Sequence, residues 1–196
     1  MQWMLGNVNA TTGIKGAGDL ISKAFRGKAS GESIVKPEYT GDGLLMLEPT
    51  YKHLILIDLK DWNQSIVLDD GLFLACSSEL KQKTVARSNL SSAVAGGEGL
   101  FNLGLEGDGI VCLEADCPKE ELIEINLEND VLKVDGNFAI AWSGSLSFTV
   151  ERSGKTLIGS AASGEGLVNV YRGTGKVLLA PVGNENIMRN GFSGMH

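Results

Sequence analysis

The segment Gly107-Asp108-Gly109-Ile110-Val111-Cys112-Leu113-Glu114 decides how this chain is read, because it occurs three times. Shortly before it stands Gly97-Glu98-Gly99-Leu100-Phe101. The same two motifs appear as Gly31-Glu32-Ser33-Ile34-Val35 with Gly41-Asp42-Gly43-Leu44-Leu45-Met46-Leu47. They appear again as Gly164-Glu165-Gly166-Leu167-Val168 with Gly173-Thr174-Gly175-Lys176-Val177-Leu178-Leu179. Two separate motifs thus return in phase at a period of about 66 residues, the signature of an internal repeat. A further block keeps the spacing: Asp70-Gly71-Leu72-Phe73 resembles Asp135-Gly136-Asn137-Phe138.

Each unit reads as β structure, with short runs of Val, Ile, Leu and Phe between turn residues. The runs predict strands over 32–39, 43–48, 53–59, 65–69, 72–77, 98–105, 109–115, 122–127, 131–134, 137–142, 145–151, 165–171 and 176–180. The Gly-x-Gly triplets and the two Asp-Gly pairs lie between such runs and read as hairpin turns that need positive φ. One helix is expected, over 19–26. Asp19 would cap it, Leu20, Ile21, Ala24 and Phe25 would give its apolar face, and Gly27 would end it.

A unit of about 66 residues buries little by itself, and no linker separates the copies. The expectation is one all-β domain over 1–183 with pseudo-threefold units at about 1–50, 51–116 and 117–183, followed by a polar tail over 184–196. The first unit lacks its front half. Sheet edges left open by that gap would invite partners, so a homo-oligomer is expected.

Composition narrows the function classes. The chain has 196 residues, of which 26 are Gly but only 4 Pro, a mix that is neither collagen-like nor Pro/Gly-rich and disordered. No apolar run reaches the length of a transmembrane helix, and Met1-Gln2-Trp3-Met4-Leu5 does not read as a secretory signal. With 17 basic and 24 acidic residues the net charge is −7, which disfavours general nucleic-acid binding. Cys76, Cys112 and Cys117 form an odd set without metal-ligand spacing, so a disulfide framework is not expected and a reducing cytoplasm is.

No residue pattern calls for catalysis or a cofactor. Glu32, Glu98 and Glu165 recur with Gly31, Gly97 and Gly164, and three carboxylates near an axis would suit a hard cation. No His, Cys or Asp accompanies them, so these six positions are read as structural. Gly173-Thr174-Gly175-Lys176 lacks the length and the following Ser/Thr of a phosphate loop, and Val177 continues a strand. Cys112 has Met46 and Leu178 as counterparts, which reads as a core position rather than a nucleophile. Cys117, beside Pro118, reads as a loop residue. His53 and His196 lie far from both in sequence. Trp3, Trp62 and Trp142 read as core or edge aromatics.

The basic residues are unevenly placed. Lys15, Lys23, Arg26, Lys28, Lys81, Lys83, Arg87, Arg152 and Lys155 precede the Gly-Glu motifs, opposed there only by Asp19, Glu79 and Glu151. Equivalent placement in a threefold fold would form a basic rim on an acidic body, a candidate contact for an anionic membrane surface or another anion. The competing reading is a set of solvated loops.

The combination of Gly-Glu-Ser/Gly with an apolar pair, Gly-x-Gly about ten residues on, and Asp-Gly-x-Phe between copies resembles the altered-inheritance-of-mitochondria protein twenty-four family. Trp3-Met4-Leu5-Gly6-Asn7-Val8, leading to Gly31-Glu32-Ser33, is particularly similar. The likeness runs to about Gly183. It implies an all-β fold grouped with the tryptophan RNA-binding attenuation protein, a double-stranded β-helix or β-sandwich, and family members that begin earlier. It does not imply that protein's RNA or tryptophan site, since neither motif is matched here. The expectation is therefore a non-enzymatic binding or scaffold module meeting a membrane surface or a protein. An RNA-binding regulator of the attenuation type is the alternative, and an enzyme of unknown substrate stands third.

Overall fold

The computed structural model describes residues 1–11, 37–86, 101–135, 138–152 and 167–181. The chain is built from antiparallel β structure: β1 (Trp3–Thr11), β2 (Glu38–Met46), β3 (His53–Asp58), β4 (Ser65–Leu68), β5 (Phe73–Cys76) and β6 (Lys81–Ala86). It continues with β7 (Phe101–Glu106), β8 (Ile110–Ala115), β9 (Ile123–Asp135), β10 (Ala139–Ser143), β11 (Ser147–Arg152) and β12 (Leu167–Leu179). Two single 3-10 turns, Leu59–Trp62 and Lys119–Glu121, are the helical segments among the described residues. The helix expected over 19–26 lies outside them, as does the tail over 184–196.

The strands form three sheets. A seven-stranded sheet runs β11-β12-β10-β4-β7-β6, with β9 along the other edge of β12. A three-stranded sheet runs β3-β8-β5, and β1 and β2 form a sheet of two. Alternation decides which side chains meet. Ile55 and Ile57 of β3, Phe73 of β5 and Val111 and Leu113 of β8 face Ile66 and Leu68 of β4, Leu105 of β7 and Ile140 and Ala141 of β10 in one core. The alternate residues of the seven-stranded sheet, Val67, Trp142, Tyr171 and Val177, build a second core on its other face. There Trp142, Phe148 and Tyr171 pack as a tilted triangle with ring centroids 5.1 to 5.3 Å apart. Buried on both faces, β4 and β10 read as unbroken apolar runs rather than alternating ones.

The Gly-x-Gly triplets are not the hairpin turns expected. Gly41-Asp42-Gly43 lies inside β2 and Gly173-Thr174-Gly175 inside β12, while Gly107-Asp108-Gly109 joins β7 to β8, which pair with different neighbours. The leading glycine has φ 119° at Gly41, 123° at Gly107 and 121° at Gly173. That backbone redirects a strand without reversing it, so the described parts of the runs expected over 32–39 and 43–48 form one kinked strand, β2, and those of the runs expected over 165–171 and 176–180 form another, β12. The partner strand gives way at the same place. The register of β12 on β9 shifts between Gly173 and Gly175, and Asn129 of β9 takes φ 54° with its N–H on Thr174 Oγ1 at 3.0 Å. This bulge fuses the runs expected over 122–127 and 131–134 into β9.

Asp70-Gly71 is not a hairpin turn either, and Gly136 of the other Asp-Gly pair lies outside the described residues. Asp70-Gly71 carries the chain from the seven-stranded to the three-stranded sheet, and Asp135 ends β9, which does not pair with β10. Two strands had no counterpart among the expected ones. β1 contains Gly6, Asn7 and Asn9 and no alternation, and its extension comes from pairing with β2 from Trp3↔Met46 to Thr11↔Glu38. β6, Lys-Gln-Lys-Thr-Val-Ala, is polar because it is an edge strand, paired among the described residues only with β7.

Candidate contact surfaces

Of the nine basic residues singled out in the sequence, Lys81 and Lys83 are described in full. Both are exposed on edge strand β6. Lys83 pairs with Glu106 of β7, and Lys81 stands opposite the same Glu106 in the register. The Lys83 stem lies over Gly104, where an added Cβ would meet its Cγ at 2.8 Å. This part of the rim is therefore partly neutralised. Arg152 ends β11 opposite Leu167, and only its backbone is described. Lys15, Lys23, Arg26, Lys28, Arg87 and Lys155, together with Gly31, Glu32, Gly97, Glu98, Gly164 and Glu165, lie outside the described residues. Among the described residues no three His, Cys, Asp or Glu side chains gather as a metal site would require.

The other charged side chains largely serve the sheets. Arg172 of β12 contacts Glu151 of β11 at 2.7 Å and Thr149 Oγ1 at 3.0 Å, and the Thr149 hydroxyl donates to Glu151 at 3.0 Å. Hydrogen bonds from Arg172 and then Thr149 hold the Glu151 carboxyl below its ordinary range. Lys176 reaches Glu124 at 2.9 Å and sits 5.8 Å from the ring centre of buried Trp62. A small cleft is lined by Lys52, Asp70, Glu114 and Asp116, with Lys52 bridged to Asp116 at 3.7 Å.

The cysteines are free thiols with no shared site. Cys112 is not the core residue its repeat counterparts suggested. Val111 and Leu113 point into the core, so Cys112 faces outward beside Leu56 and is half-buried. Cys117 is in a loop as expected, but buried. Burial pushes all three thiols up, with Glu114 adding to the effect at Cys112. Trp62 and Trp142 are core residues, whereas Trp3 is 44% exposed on β1.

The most distinctive surface is apolar. Trp3, Met4 and Leu5 of β1 stand opposite Met46, Leu45 and Leu44 of β2. Successive residues point to opposite faces, so both faces of this sheet end are apolar, and all six side chains are exposed, Leu5 by 63% and Leu44 by 60%. The equivalent Gly-x-Gly strands bury this stretch, as Val111 and Leu113 in β8 and as Val177 and Leu178 in β12. A smaller patch lies on the outer face of the three-stranded sheet, where Leu54, Leu56 and Ile110 are exposed. Sequence reasoning missed the larger patch. Its signal was the pairing of two runs, Trp-Met-Leu and Leu-Leu-Met, that show no alternation.

Fold and surfaces define an antiparallel β protein with two layered sheets, a separate two-stranded sheet and exposed apolar sheet faces. The family model for mitochondrial biogenesis AIM24 matches residues 1–182, and the chain belongs to that family. An uncharacterized protein of Streptococcus pyogenes serotype M6 is 30% identical over 168 residues, 84% of this chain. The match takes in 65% of that protein, so the chain spans about two thirds of its length. The crystal structure of a Streptococcus pyogenes protein superposes with a TM-score of 0.68 at 25% identity, covering 97% of this chain and 83% of the other. No helix among the described residues is long and apolar enough to cross a membrane.

Proposed function

We propose that this chain is a non-enzymatic binding or scaffold module that self-associates and meets macromolecular partners through exposed β-sheet surface. The observation that carries this reading is the six-residue apolar cluster of β1 and β2, uncovered on both faces. Soluble monomers seldom leave so large a contiguous apolar patch bare unless it binds something. The three-unit organisation belongs to the same reading, and the near-equal φ at Gly41, Gly107 and Gly173 supports it. A reducing cytoplasm suits the three free thiols.

Two measurements test it. Sedimentation velocity of the full chain over about 1 to 100 µM is expected to show a species heavier than 20.8 kDa whose share grows with concentration. A single monomer boundary throughout overturns self-association. Flotation with phosphatidylglycerol-containing vesicles tests the membrane branch. Salt-sensitive co-flotation lost on Lys81→Glu/Lys83→Glu assigns the contact to an anionic membrane. Absence of co-flotation leaves the module with protein partners.

A further inference from the structure

Among the described residues, the strands that lie at sheet edges are guarded, with one exception. An open edge presents unpaired N–H and C=O groups, and natural proteins blunt such edges with charge or by keeping them short. β6 carries Lys81 and Lys83, β3 carries His53 and Asp58, and β11 carries Glu151 and Arg152. β9 carries charged residues along its length, from Glu124 to Asp135, and β5 is only 4 residues long. β2 carries Glu38 and Asp42. β1 has none of these devices. From Trp3 to Thr11 it runs 9 residues without a charge or a proline, and only β2 pairs with it among the described residues.

We propose that the free edge of β1 is a homodimerisation edge that pairs antiparallel with β1 of a second copy. The proposal rests on the reading of the chain as a self-associating module and names its surface. Charge selects both edge and occupant. Two β2 edges brought together antiparallel would set Asp42 and Glu38 of one copy against the same acidic strand of the other, which is repulsive. Two β1 edges meet with no charge between them. An acidic chain of net −7 joins a second copy most readily where its own charge is absent. A twofold axis through this junction makes a closed, isologous contact and a continuous β2-β1-β1-β2 sheet. Pairing of this kind uses main-chain hydrogen bonds and needs no sequence complementarity beyond an uncharged strand.

The test is the double substitution Asn7→Lys/Asn9→Lys in the full chain. Both residues are exposed, and Asn7 stands opposite Asp42 and Asn9 opposite Thr40, so the β1–β2 pairing tolerates the lysines. In a β1–β1 junction four ammonium groups would crowd together, and the dimer is expected to weaken by roughly tenfold or more in sedimentation equilibrium. Thr40→Lys on β2 is expected to leave the dimer unchanged. Unchanged far-ultraviolet circular dichroism shows that the lysine variant has folded, and a bis-maleimide crosslink between two copies that forms with Asn7→Cys and not with the wild-type thiols alone reads the junction independently. A dimer indifferent to the lysine pair overturns the β1 assignment alone. A dimer broken by Thr40→Lys instead assigns the contact to β2 and overturns it likewise. A wild-type monomer at all concentrations overturns both this assignment and self-association.

Discussion

Gly41 of β2 lies so close against Asn7 of β1 that a Cβ at Gly41 would fall inside van der Waals contact with the Asn7 carbonyl oxygen. The backbone there has φ 119°, a conformation side chains resist. The equivalent Gly173 has φ 121° but open surroundings, its added Cβ meeting Leu146 Cδ2 at 3.7 Å.

The two glycines are therefore expected to respond differently to alanine. Gly173→Ala pays backbone strain alone, about 1–3 kcal/mol, and lies in a strand of the main sheet, so the Tm of the whole chain falls by several degrees. Gly41→Ala adds a backbone clash, but in a sheet whose large side chains are mostly exposed. Its effect is local: amide protection across β1 and β2 is lost while the main transition moves little. Hydrogen exchange alongside calorimetry separates the two. Equal drops in Tm would contradict the independence of the β1–β2 sheet from the two cores.

The aromatic triangle predicts where stability concentrates. Trp142 is buried against Phe148 and Tyr171, and its truncation to Ala removes both ring contacts and leaves a large cavity. The expected cost is about 3–5 kcal/mol, a fall in urea midpoint large enough to unfold a marginal domain. Trp3→Ala, at an exposed site, is expected to change stability by no more than about 0.5 kcal/mol. Comparable losses at the two positions would mean that Trp3 is covered in solution, which is what the β1 contact implies only at concentrations where the dimer forms.

The β character of the chain was legible because Ile55, Ile66, Leu105 and Val111 sit in short branched or leucine-rich runs that only a pleated core uses. The glycine period was legible too, but its meaning was not. A Gly at φ near 120° serves a hairpin or a kink equally well, and what distinguishes them is whether the flanking runs pair with each other. That is a long-range fact: β12 pairs with β9, β10 and β11, never with itself. β1 was invisible for the same reason, since Gly6-Asn7-Val8-Asn9 becomes extended only through β2. At the surface, the lysines stood out by charge, whereas the apolar cluster emerged only once Leu44 was set against Leu5. Cys112 misled because repeat equivalence fixes a position along a strand and not which of its two faces is covered.

Glu151 gives the chain an acid-sensitive contact. Arg172 and Thr149 hold its carboxyl below the ordinary range in the folded state. A carboxyl whose folded pKa is depressed contributes stability above its unfolded value, and that contribution is lost as pH falls through the folded value. Unfolding free energy is thus expected to drop below pH 4.5 by a share that Glu151→Gln removes. Urea titrations at about pH 6 and about pH 3.5 read that share as the difference in slope between wild type and variant. Because the pair is exposed the effect is small, and salt should reduce it. Arg172→Ala should remove the larger part of that share, with the Thr149 hydrogen bond keeping the rest, and retention of the full acid slope in that variant would place its origin elsewhere.

The thiols give the last expectation. Burial raises all three, so none is a ready thiolate at neutral pH. Alkylation by iodoacetamide at pH 7 should be slow at every cysteine of the folded chain and fast in urea. As pH rises the order follows exposure of the sulfur's surroundings. Cys112, on the outer face beside Leu56, reacts first, and Cys117, buried as part of the core between the two sheets, reacts only through unfolding. Mass spectrometry of peptides after timed alkylation reads this order directly. Cys117 labelling faster than Cys112 under native conditions would show that the loop between β8 and β9 opens independently of the core it is packed into.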